Sequence, residues 1–441
     1  MSALARYFNL QGKQVAGYDK TPTNLTNNLI REGISIHFED DIDQIPESLI
    51  SMSKNEVLIV YTPAVPKNHS ELNYFITNNY WIEKRSEILG LISKNSNTIA
   101  ISGTHGKTTV STMTAFFMQT CGIDCNAFLG GISKNFDSNL LLNEGSENTV
   151  VEADEYDRSF LKLFPNIAII TSIDADHLDI YSDISDIRNS FGKFVNQIKT
   201  NGSLIIKKGV ELDLTAYKQK LYTYSITEKA DFYAENIRTE NGKSIFDFYS
   251  PKVNIKNIIL GVPGRLNVEN AVAAIAAVIL HGAEPEKIRI AAEQFSGVKR
   301  RFDYVINKKN IVYIDDYAHH PEELKAFISS VKEMYKNKKI TGIFQPHLFS
   351  RTKDFADDFA KSLSLLDEVV LLEIYPAREE PIEGVNSEMI LNKITAKSKF
   401  CINKINLIEF INTNNFEVLL TMGAGDIDLF VNEIKNTLLI K

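Results

Sequence analysis

The stretch "TIAISGTHGKTTVSTMTAFFM", residues 98–118, decides the fold because an apolar strand runs through two glycines directly into a helical pattern. Gly103 and Gly106 bracket the turn, and Lys107 and Thr108 follow at once. The phosphate-loop pattern G-x-x-x-x-G-K-[ST] places its first glycine where this chain has an isoleucine. We interpret the stretch as a shortened phosphate-binding loop.

The position of this loop between a strand end and a helix start suits an anion, because free backbone N–H groups and the helix dipole favour negative charge there. Lys107 would supply a positive charge for β- and γ-phosphates, and the Thr108 hydroxyl would ligate Mg²⁺. The alternative is a tight strand-to-helix turn that binds nothing. The G-K-T-T sequence at a helix start favours phosphate binding over that alternative.

The composition limits the classes of protein to which the chain can belong. Its 441 residues suggest two or three domains, and 44% apolar with 24% charged residues is typical of a soluble globular protein. A net charge of −8 argues against nucleic acid or an anionic membrane as the main partner. Three cysteines make no disulfide framework, which fits a reducing cytoplasm. The longest apolar run, residues 271–280, is too short to span a membrane, and no signal peptide is visible.

Strand-like and helix-like segments alternate along the chain, which predicts an α/β fold with largely parallel sheets. We expect three α/β domains, at 1–97, 98–296 and 297–441. The first begins with a helix that leads into the strand "QVAGYD", which resembles the second half of a Rossmann βαβ unit. The first strand of that unit and its glycine-rich turn should precede residue 1, so we expect this half of the motif to be missing.

Two further strand-like segments end in clusters of acidic residues. Carboxylates at the C-terminal ends of parallel strands face the ligand crevice, so one of them could hold Mg²⁺ opposite Thr108. A solvated acidic loop is the alternative, and it stays open. A lone histidine in such a cluster is more often a capping or hydrogen-bonding group than a magnesium ligand. The clusters comprise Glu152, Asp154, Glu155 and Asp157 in "VVEADEYDRSF", and Asp174, Asp176, His177 and Asp179 in "IAIITSIDADHLDIY".

Polar residues also cluster near the second domain junction and in the third domain. Asn267 stands where a helix-capping side chain is expected. Paired arginines at a junction are usually solvated, yet one can close onto a phosphate when domains shut. His319 and His320 could bind zinc, but no third ligand stands nearby in the sequence, so we reject a metal there. The other candidates are Lys299, Arg300, Arg301, Asp315, Asp316, His347 and Arg351.

Taken together and in order, several motifs resemble those of the Mur ligases over essentially the whole chain. They are "GTHGKTT", "EADEYDRSFLKLFP", "DADHLDIY", "GRLNVENA", "GVKRRFD", "DDYAHHP" and "FQPHLFSRT". The resemblance implies a Rossmann-like domain for UDP-N-acetylmuramate at 1–97 and a P-loop ATPase-like central domain with a mostly parallel sheet at 98–296. A Rossmann-like domain at 297–441 would bind the amino acid and close over the site.

The resemblance further implies an ATP-dependent ligase of peptidoglycan precursor synthesis in the cytoplasm. It would transfer the γ-phosphoryl group of ATP to the lactyl carboxylate of UDP-N-acetylmuramate, and the amine of L-alanine would then displace phosphate to form an amide. ATP and Mg²⁺ are the implied cofactors, and the two small-molecule substrates are the implied partners. The alternatives are a recycling ligase that adds a preformed tripeptide, a non-catalytic nucleotide or UDP-sugar binder, and a P-loop kinase.

The resemblance also implies roles for single residues, carried over position by position. Thr108 and Glu152 would hold one Mg²⁺, and Glu152 with His177 would hold a second. His177 would then be a metal ligand although Mg²⁺ generally prefers oxygen ligands. The implied catalytic residues are Lys107, Glu152, His177 and Arg301. The implied ATP-binding residues are Gly103, Thr104, His105, Gly106, Lys107, Thr108, Thr109, Asn267 and Asp316, and the implied substrate-binding residues are Tyr317, His319, His347 and Arg351.

Three features depart from the pattern of the family. Its members open with a glycine-rich G-x-G-G-x-G-M-S loop for the UDP diphosphate, and this chain begins at the Met-Ser. Relatives commonly have histidine where Leu266 stands, so a contact to the nucleotide is expected to be lost. Many relatives have arginine where Leu348 stands, which leaves open what holds the alanine carboxylate.

Overall fold

The structure, a computed structural model, describes residues 1–62, 65–175, 180–240, 243–377 and 379–441, with Asn24 described by its main chain alone. By compactness the chain divides into two units, and each has its own hydrophobic core. The first unit comprises Met1–Gly130, Phe136–Tyr224 and Ala273–Glu284, and the second comprises Gly131–Asn135, Ser225–Val272 and Pro285–Lys441.

The first part of the first unit alternates short helices and strands, as the sequence predicts. Its elements are α1 (Ser2–Leu10), β1 (Ala16–Tyr18), α2 (Asn24–Arg31), β2 (Ser35–His37), α3 (Glu47–Ile50), β3 (Leu58–Tyr61), α4 (Ser70–Thr77), β4 (Trp81–Lys84) and α5 (Arg85–Lys94). β1 pairs in parallel with β2, and β3 pairs in parallel with β4. The side chains of Ile45, Val57, Phe75 and Tyr80 form a small buried cluster in this part of the chain.

A larger sheet forms the rest of the first unit. Its elements are β5 (Asn97–Ser102), α6 (Lys107–Thr120), β6 (Asn126–Ser133), β7 (Ser138–Leu141), β8 (Asn148–Glu152), β9 (Ile167–Ile170), α7 (Ile184–Val195), β10 (Ser203–Lys207) and β11 (Lys220–Ser225). The strands are neighbours in the order β11-β10-β9-β5-β8-β6-β7. The five pairings from β11 to β6 are parallel, which confirms the predicted mostly parallel central sheet.

Parallel pairing brings the C-terminal ends of β5, β8 and β9 to one edge of this sheet. The apolar β-branched residues of β5 are buried on both faces, as is usual for a parallel strand covered by helices. The glycine loop follows β5, the first acidic cluster follows β8, and Asp174, the described residue of the second cluster, follows β9. Three polar segments that are far apart in the sequence therefore meet at the edge where α/β proteins bind ligands.

Aromatic rings anchor the segment that carries the first acidic cluster. Phe160, in the 3₁₀ helix Tyr156–Lys162, packs against Phe191 and Phe194 of α7 with ring centroids 5.1 Å apart in both pairs. All three rings are fully buried. Because residues three apart on a helix share one face, α7 presents both of its rings to Phe160. The core thereby fixes the chain just beyond the acidic cluster.

The second unit contains three antiparallel strands and a six-stranded sheet. Its elements are β12 (Phe232–Glu240), β13 (Lys243–Tyr249), β14 (Asn254–Leu260), α8 (Arg265–Leu280, which ends in the first unit), α9 (Pro285–Gln294), β15 (Asp303–Asn307), β16 (Val312–Asp316), α10 (Pro321–Met334), β17 (Ile340–Phe344), α11 (Phe349–Asp354), α12 (Ala356–Leu363), β18 (Glu368–Leu371), α13 (Ser387–Leu391), β19 (Ser398–Cys401), α14 (Leu407–Thr413), β20 (Val418–Met422) and α15 (Val431–Ile440). β13 pairs antiparallel with both β12 and β14. Further short 3₁₀ helices span Ile42–Gln44, Lys54–Glu56, Lys404–Asn406 and Asp426–Phe430.

The larger sheet of the second unit has the strand order β15-β16-β20-β17-β18-β19 and is parallel except for the β15/β16 pair. Successive residues of β20 belong to different cores, because side chains alternate between the two faces of a strand. Leu420 packs with Leu324 of α10 and Phe359 of α12, whereas Leu419 packs with Leu407 of α14. Helices thus cover both faces, as expected for the predicted α/β class.

Two sequence expectations concern the chain as a whole. The domain boundaries after residues 97 and 296 stay a prediction. Among the helices that the structure describes, none combines the length and the apolar character that crossing a membrane requires.

We predict that Leu204→Ala destabilises the protein far more than Leu221→Ala. The two leucines are register partners on β10 and β11, but Leu204 is fully buried and Leu221 is 44% exposed. Removing the buried side chain leaves a cavity and should lower the free energy of unfolding by about 2–5 kcal/mol. Leu221→Ala, at the exposed position, should lower the free energy of unfolding by less than about 1 kcal/mol. Urea denaturation measures both, and equal losses would contradict this account of the core.

Candidate active site

The glycine loop adopts backbone conformations that require its two glycines. Gly103 has φ 134° and Gly106 has φ 83°, both in the region that other residues disfavour. A Cβ atom at Gly103 would lie 2.1 Å from the hydroxyl oxygen of Thr171, so this position has no room for a side chain. α6 begins directly after Gly106. The loop therefore presents a helix N-terminus at the C-terminal end of β5.

The segment that follows β9 fixes this loop through polar contacts. Ser172 Oγ lies 2.8 Å from Thr104 Oγ1 and accepts the His105 backbone N–H at 2.9 Å. The Thr171 hydroxyl donates to the His105 carbonyl oxygen. Asp174 Oδ2 accepts the Thr104 hydroxyl at 3.2 Å and lies 3.4 Å from His105 Nε2. Two of the predicted ATP-binding residues are thus held in place by the neighbouring strand end.

The Lys107 ammonium group is largely shielded from solvent and lies beside carboxylates. Its Nζ donates to the Gly103 carbonyl and to Glu155 Oε1, each at 2.8 Å, and Glu155 is 1% exposed. Burial alone would lower the pKa of this ammonium group, but Glu155, Asp154 and Glu152, in decreasing order, raise the pKa above its ordinary value. Lys107 is therefore charged at physiological pH, and its charge is held against the glycine loop.

Thr108 and Glu152, the pair predicted to share a Mg²⁺ ion, are adjacent in the structure. The Thr108 hydroxyl donates to Glu152 Oε1 at 3.2 Å. Glu152 Oε2 accepts the backbone N–H of Gly130 at 3.0 Å, which orients the carboxylate. Thr109, also predicted to bind ATP, is buried in the first turn of α6. Hydroxyl and carboxylate oxygens are the donors that Mg²⁺ prefers, so the Thr108–Glu152 pair fits the predicted ion.

Part of the second acidic cluster lies outside the described residues. Asp176, His177 and Asp179 belong to this part, whereas Asp174 is described. The metal-binding and catalytic roles of His177 therefore stay predictions.

The two neighbouring arginines of the second unit have different surroundings. Arg300 Nε lies 3.2 Å from Oδ2 of the buried Asp315, which ties this guanidinium group into the fold. Arg301 lies 3.9 Å from Glu323, at the limit of an ion pair. Both guanidinium groups lie over the Tyr317 ring, at 5.1 Å and 5.0 Å from its centroid. Of these two ion pairs, that of Arg301 has the longer distance, which suits the phosphate role that the resemblance implies for Arg301.

Asp316 and Asn267, both predicted to contact adenosine, are engaged with backbone groups. Asp316 Oδ2 accepts the Phe302 N–H at 2.7 Å, and its Oδ1 accepts the Ala318 N–H at 2.8 Å. Burial raises the pKa of the Asp316 carboxyl to about 7. Asn267 Nδ2 donates to the Pro263 carbonyl at 2.7 Å and so fixes the turn that leads into α8.

Three of the four predicted substrate-binding residues form an aromatic row in the second unit. The His319 ring centroid lies 5.2 Å from that of Tyr317 and 6.1 Å from that of His347. The His347 ring is stacked on Tyr375, with centroids 5.7 Å apart. Arg351, the fourth residue, lies on α11, which begins shortly after His347.

The structure places four further residues next to the predicted site residues, and the sequence interpretation assigned none of the four an individual role. Glu155 stands in the first acidic cluster, but only its burial beside the loop lysine distinguishes it from its neighbours. Glu323 could have been found from capping rules, because its carboxylate accepts two backbone N–H groups at the start of α10. Tyr375 and Glu379 follow β18 and meet α11 only in the folded chain, so no local pattern could reveal them.

Comparison with protein families matches three successive parts of the chain. The Mur ligase family catalytic domain matches residues 1–97, the Mur ligase middle domain matches 101–278, and the Mur ligase glutamate ligase domain matches 300–425. These matches together cover most of the chain.

Individual proteins give a finer comparison. The chain is 51% identical over 439 residues to a UDP-N-acetylmuramate–L-alanine ligase of Parabacteroides distasonis, covering 99% of this chain and 95% of that protein. A crystal structure of a UDP-N-acetylmuramate–alanine ligase from Thermotoga maritima superposes with a TM-score of 0.79 at 28% identity, over 100% of this chain and 96% of the other. A murein peptide ligase from Psychrobacter arcticus superposes with a TM-score of 0.65 at 22% identity, over 100% and 95% of the two chains, and shares the fold.

We predict that Gly130→Ala weakens the binding of magnesium–nucleotide more than the binding of metal-free nucleotide. A Cβ atom there would lie 2.3 Å from both carboxylate oxygens of Glu152, so the carboxylate must move away from Thr108. Loss of such an orienting contact typically lowers metal affinity about 10–100-fold. Calorimetric titration with ADP, with and without Mg²⁺, measures the difference.

The matched control is Gly192→Ala. Among the described residues, a Cβ atom at Gly192 would meet no heavy atom within 4 Å, and its helix should tolerate alanine. Equal magnesium dependence in Gly130→Ala and the wild type would show that Glu152 does not hold the ion.

Proposed function

This chain belongs to the Mur ligase family, and from that premise we propose that it joins L-alanine to the lactyl carboxylate of UDP-N-acetylmuramate with consumption of ATP. The observation that carries the proposal is the charged Lys107 held against the glycine loop, beside the Thr108–Glu152 pair. Its relative at 51% identity is named for this reaction. The proposal places the reaction in the cytoplasm, in peptidoglycan precursor synthesis, with small molecules as the only substrates.

Mg²⁺ is the proposed ion, and oxygen ligands at the edge of the sheet support it. Thr108 and Glu152 would hold one ion, and Glu152 with His177 would hold a second. Bound Mg²⁺ neutralises phosphate charge and polarises the group that is transferred. Gly130 keeps the Glu152 carboxylate turned toward Thr108 through its backbone N–H.

Lys107 is proposed to bind the β- and γ-phosphates without leaving Glu155. An ammonium group has three donors, and the described protein acceptors of Lys107 Nζ are the Gly103 carbonyl and the Glu155 carboxylate. Breaking a buried ion pair costs about 3–5 kcal/mol, because one charge is left without compensation. A bond from the third donor to a phosphate oxygen avoids this cost. Glu155 then orients the ammonium group while the phosphate binds.

Phosphoryl transfer makes the lactyl carboxylate reactive toward an amine. A carboxylate is a poor acyl donor because its oxygen does not leave. Transfer of the γ-phosphoryl group breaks its bond to ADP and converts one carboxylate oxygen into part of a phosphate leaving group. The L-alanine nitrogen attacks the carbonyl carbon, the tetrahedral intermediate expels phosphate, and loss of the amine proton leaves the amide. Lys107 offsets negative charge on the group in transfer.

The remaining roles implied by the resemblance belong to the proposal too. Tyr317, His319 and His347, already adjacent in the second unit, would line the pocket for L-alanine and the muramyl group together with Arg351. The phosphate role of Arg301 and the adenosine roles of Asn267 and Asp316 are proposed on the same ground. Within this proposal the three domains keep the boundaries after residues 97 and 296.

Release of ADP, measured with ATP, Mg²⁺ and UDP-N-acetylmuramate, tests the amino-acid substrate. We predict that L-alanine stimulates ADP release with one amide formed per ADP, and that a preformed tripeptide does not. Lys107→Ala should abolish turnover while the protein still folds, with a lower melting temperature because the buried Glu155 carboxylate loses its partner. Lys218→Ala, on the surface of the same unit, should behave as the wild type.

Stimulation by tripeptide alone would assign the chain to the recycling ligases and overturn the proposal. A stable phosphorylated product without amide would indicate a kinase.

A further inference from the structure

Helix α11, which carries Arg351, begins without a capping side chain of its own. Its N-cap residue is Leu348, which has no polar side chain and has φ 69°, a conformation that non-glycine residues rarely adopt. The first backbone N–H groups of a helix need acceptors, because no preceding turn supplies them. The start of α11 therefore depends on acceptors from elsewhere in the chain.

Glu379 supplies these acceptors. Its Oε2 accepts the Ser350 backbone N–H at 3.0 Å, and its Oε1 accepts the Ser350 hydroxyl at 2.5 Å. The backbone N–H of Phe349 also favours the charged form of this carboxylate. Burial would raise the pKa of Glu379, but these hydrogen bonds outweigh burial and lower the pKa below its ordinary value. Glu379 is thus ionised at neutral pH and holds the first turn of α11.

Tyr375, which precedes Glu379 in the chain, contacts the residues that lead into α11. Tyr375 accepts the Leu348 N–H through its carbonyl at 3.0 Å, and its own N–H donates to the Pro346 carbonyl at 2.8 Å. Its ring is stacked on His347. The segment from Pro346 to Ser350 is therefore bonded along its length to one neighbouring stretch of chain, which includes Tyr375 and Glu379.

We infer that Glu379 is a positioning residue for the amino-acid substrate, acting through the start of α11 on Arg351 in the helix and on His347 just before it. This inference rests on the proposed function, because it takes these two residues to line the L-alanine pocket. The apolar Leu348 side chain cannot bind a carboxylate, so the placement of the nearby cationic Arg351 matters for the amino-acid substrate. An unanchored first turn would let both substrate groups move.

The expected kinetic effect is specific to one substrate. Groups that bind L-alanine equally in the ground and transition states affect KM for L-alanine and leave kcat unchanged. The glycine loop, Glu152 and Glu155 lie in the first unit, and in the described part of the chain they share none of the hydrogen bonds of Glu379. KM for ATP should therefore stay unchanged.

The test compares Glu379→Gln with Glu380→Gln, an exposed neighbour of the same type. Glutamine keeps the shape of Glu379 but removes the charge that its donors favour, so we expect KM for L-alanine to rise about tenfold. We expect kcat and KM for ATP to change less than about twofold. Hydrogen exchange of residues 346–354 should become faster in Glu379→Gln and stay unchanged in Glu380→Gln. Ser350→Ala, which removes one of the bonds, should raise KM for L-alanine by a smaller factor.

The outcomes separate this inference from the proposed function. If the wild type uses L-alanine and Glu379→Gln has the wild-type KM, or loses affinity for ATP equally, the positioning role is wrong. If the wild type does not use L-alanine but exchange at 346–354 still rises only in Glu379→Gln, the anchor is confirmed and the proposed function fails. Should Glu379→Gln not fold, an unchanged KM in Ser350→Ala would overturn the inference.

Discussion

The contact of the Lys107 ammonium group with the Gly103 carbonyl and the Glu155 carboxylate is the interaction on which the proposed site depends. A lysine ammonium group that is shielded from solvent next to a helix N-terminus is unfavourable unless an anion compensates its charge. Glu155 provides that compensation before any phosphate arrives. The loop is thereby kept in a shape that needs two glycines with positive φ, and its lysine is kept charged.

Carboxylates with an orienting role recur in both units. Glu155 orients a lysine side chain, Glu323 accepts backbone N–H groups at the start of α10, and Glu379 accepts them at the start of α11. Each lies next to residues that the proposed reaction requires. Preorganised charge of this kind costs no rearrangement during the reaction, which is the usual way in which a protein stabilises a transferred phosphoryl group.

The sequence was sufficient to predict the α/β class, the mostly parallel central sheet and the family. These depend on the alternation of strand-like and helix-like segments and on local motifs. It also led to Thr108 and Glu152, which follow strand ends that parallel pairing brings to one edge. It did not distinguish Glu155 from the other acidic residues, because the burial of Glu155 and its contact with Lys107 arise only in the folded chain. Glu379 was out of reach, since its partner Ser350 lies on another segment that only the folded sheet brings near.

A crystal structure with Mg²⁺ and a non-hydrolysable ATP analogue tests the central claim most directly. The account predicts that Lys107 Nζ contacts a β- or γ-phosphate oxygen while it still contacts Glu155, and that Thr108 and Glu152 lie on the same ion. A nucleotide bound away from the glycine loop, with Lys107 paired only to Glu155 and out of reach of its phosphates, would contradict the account.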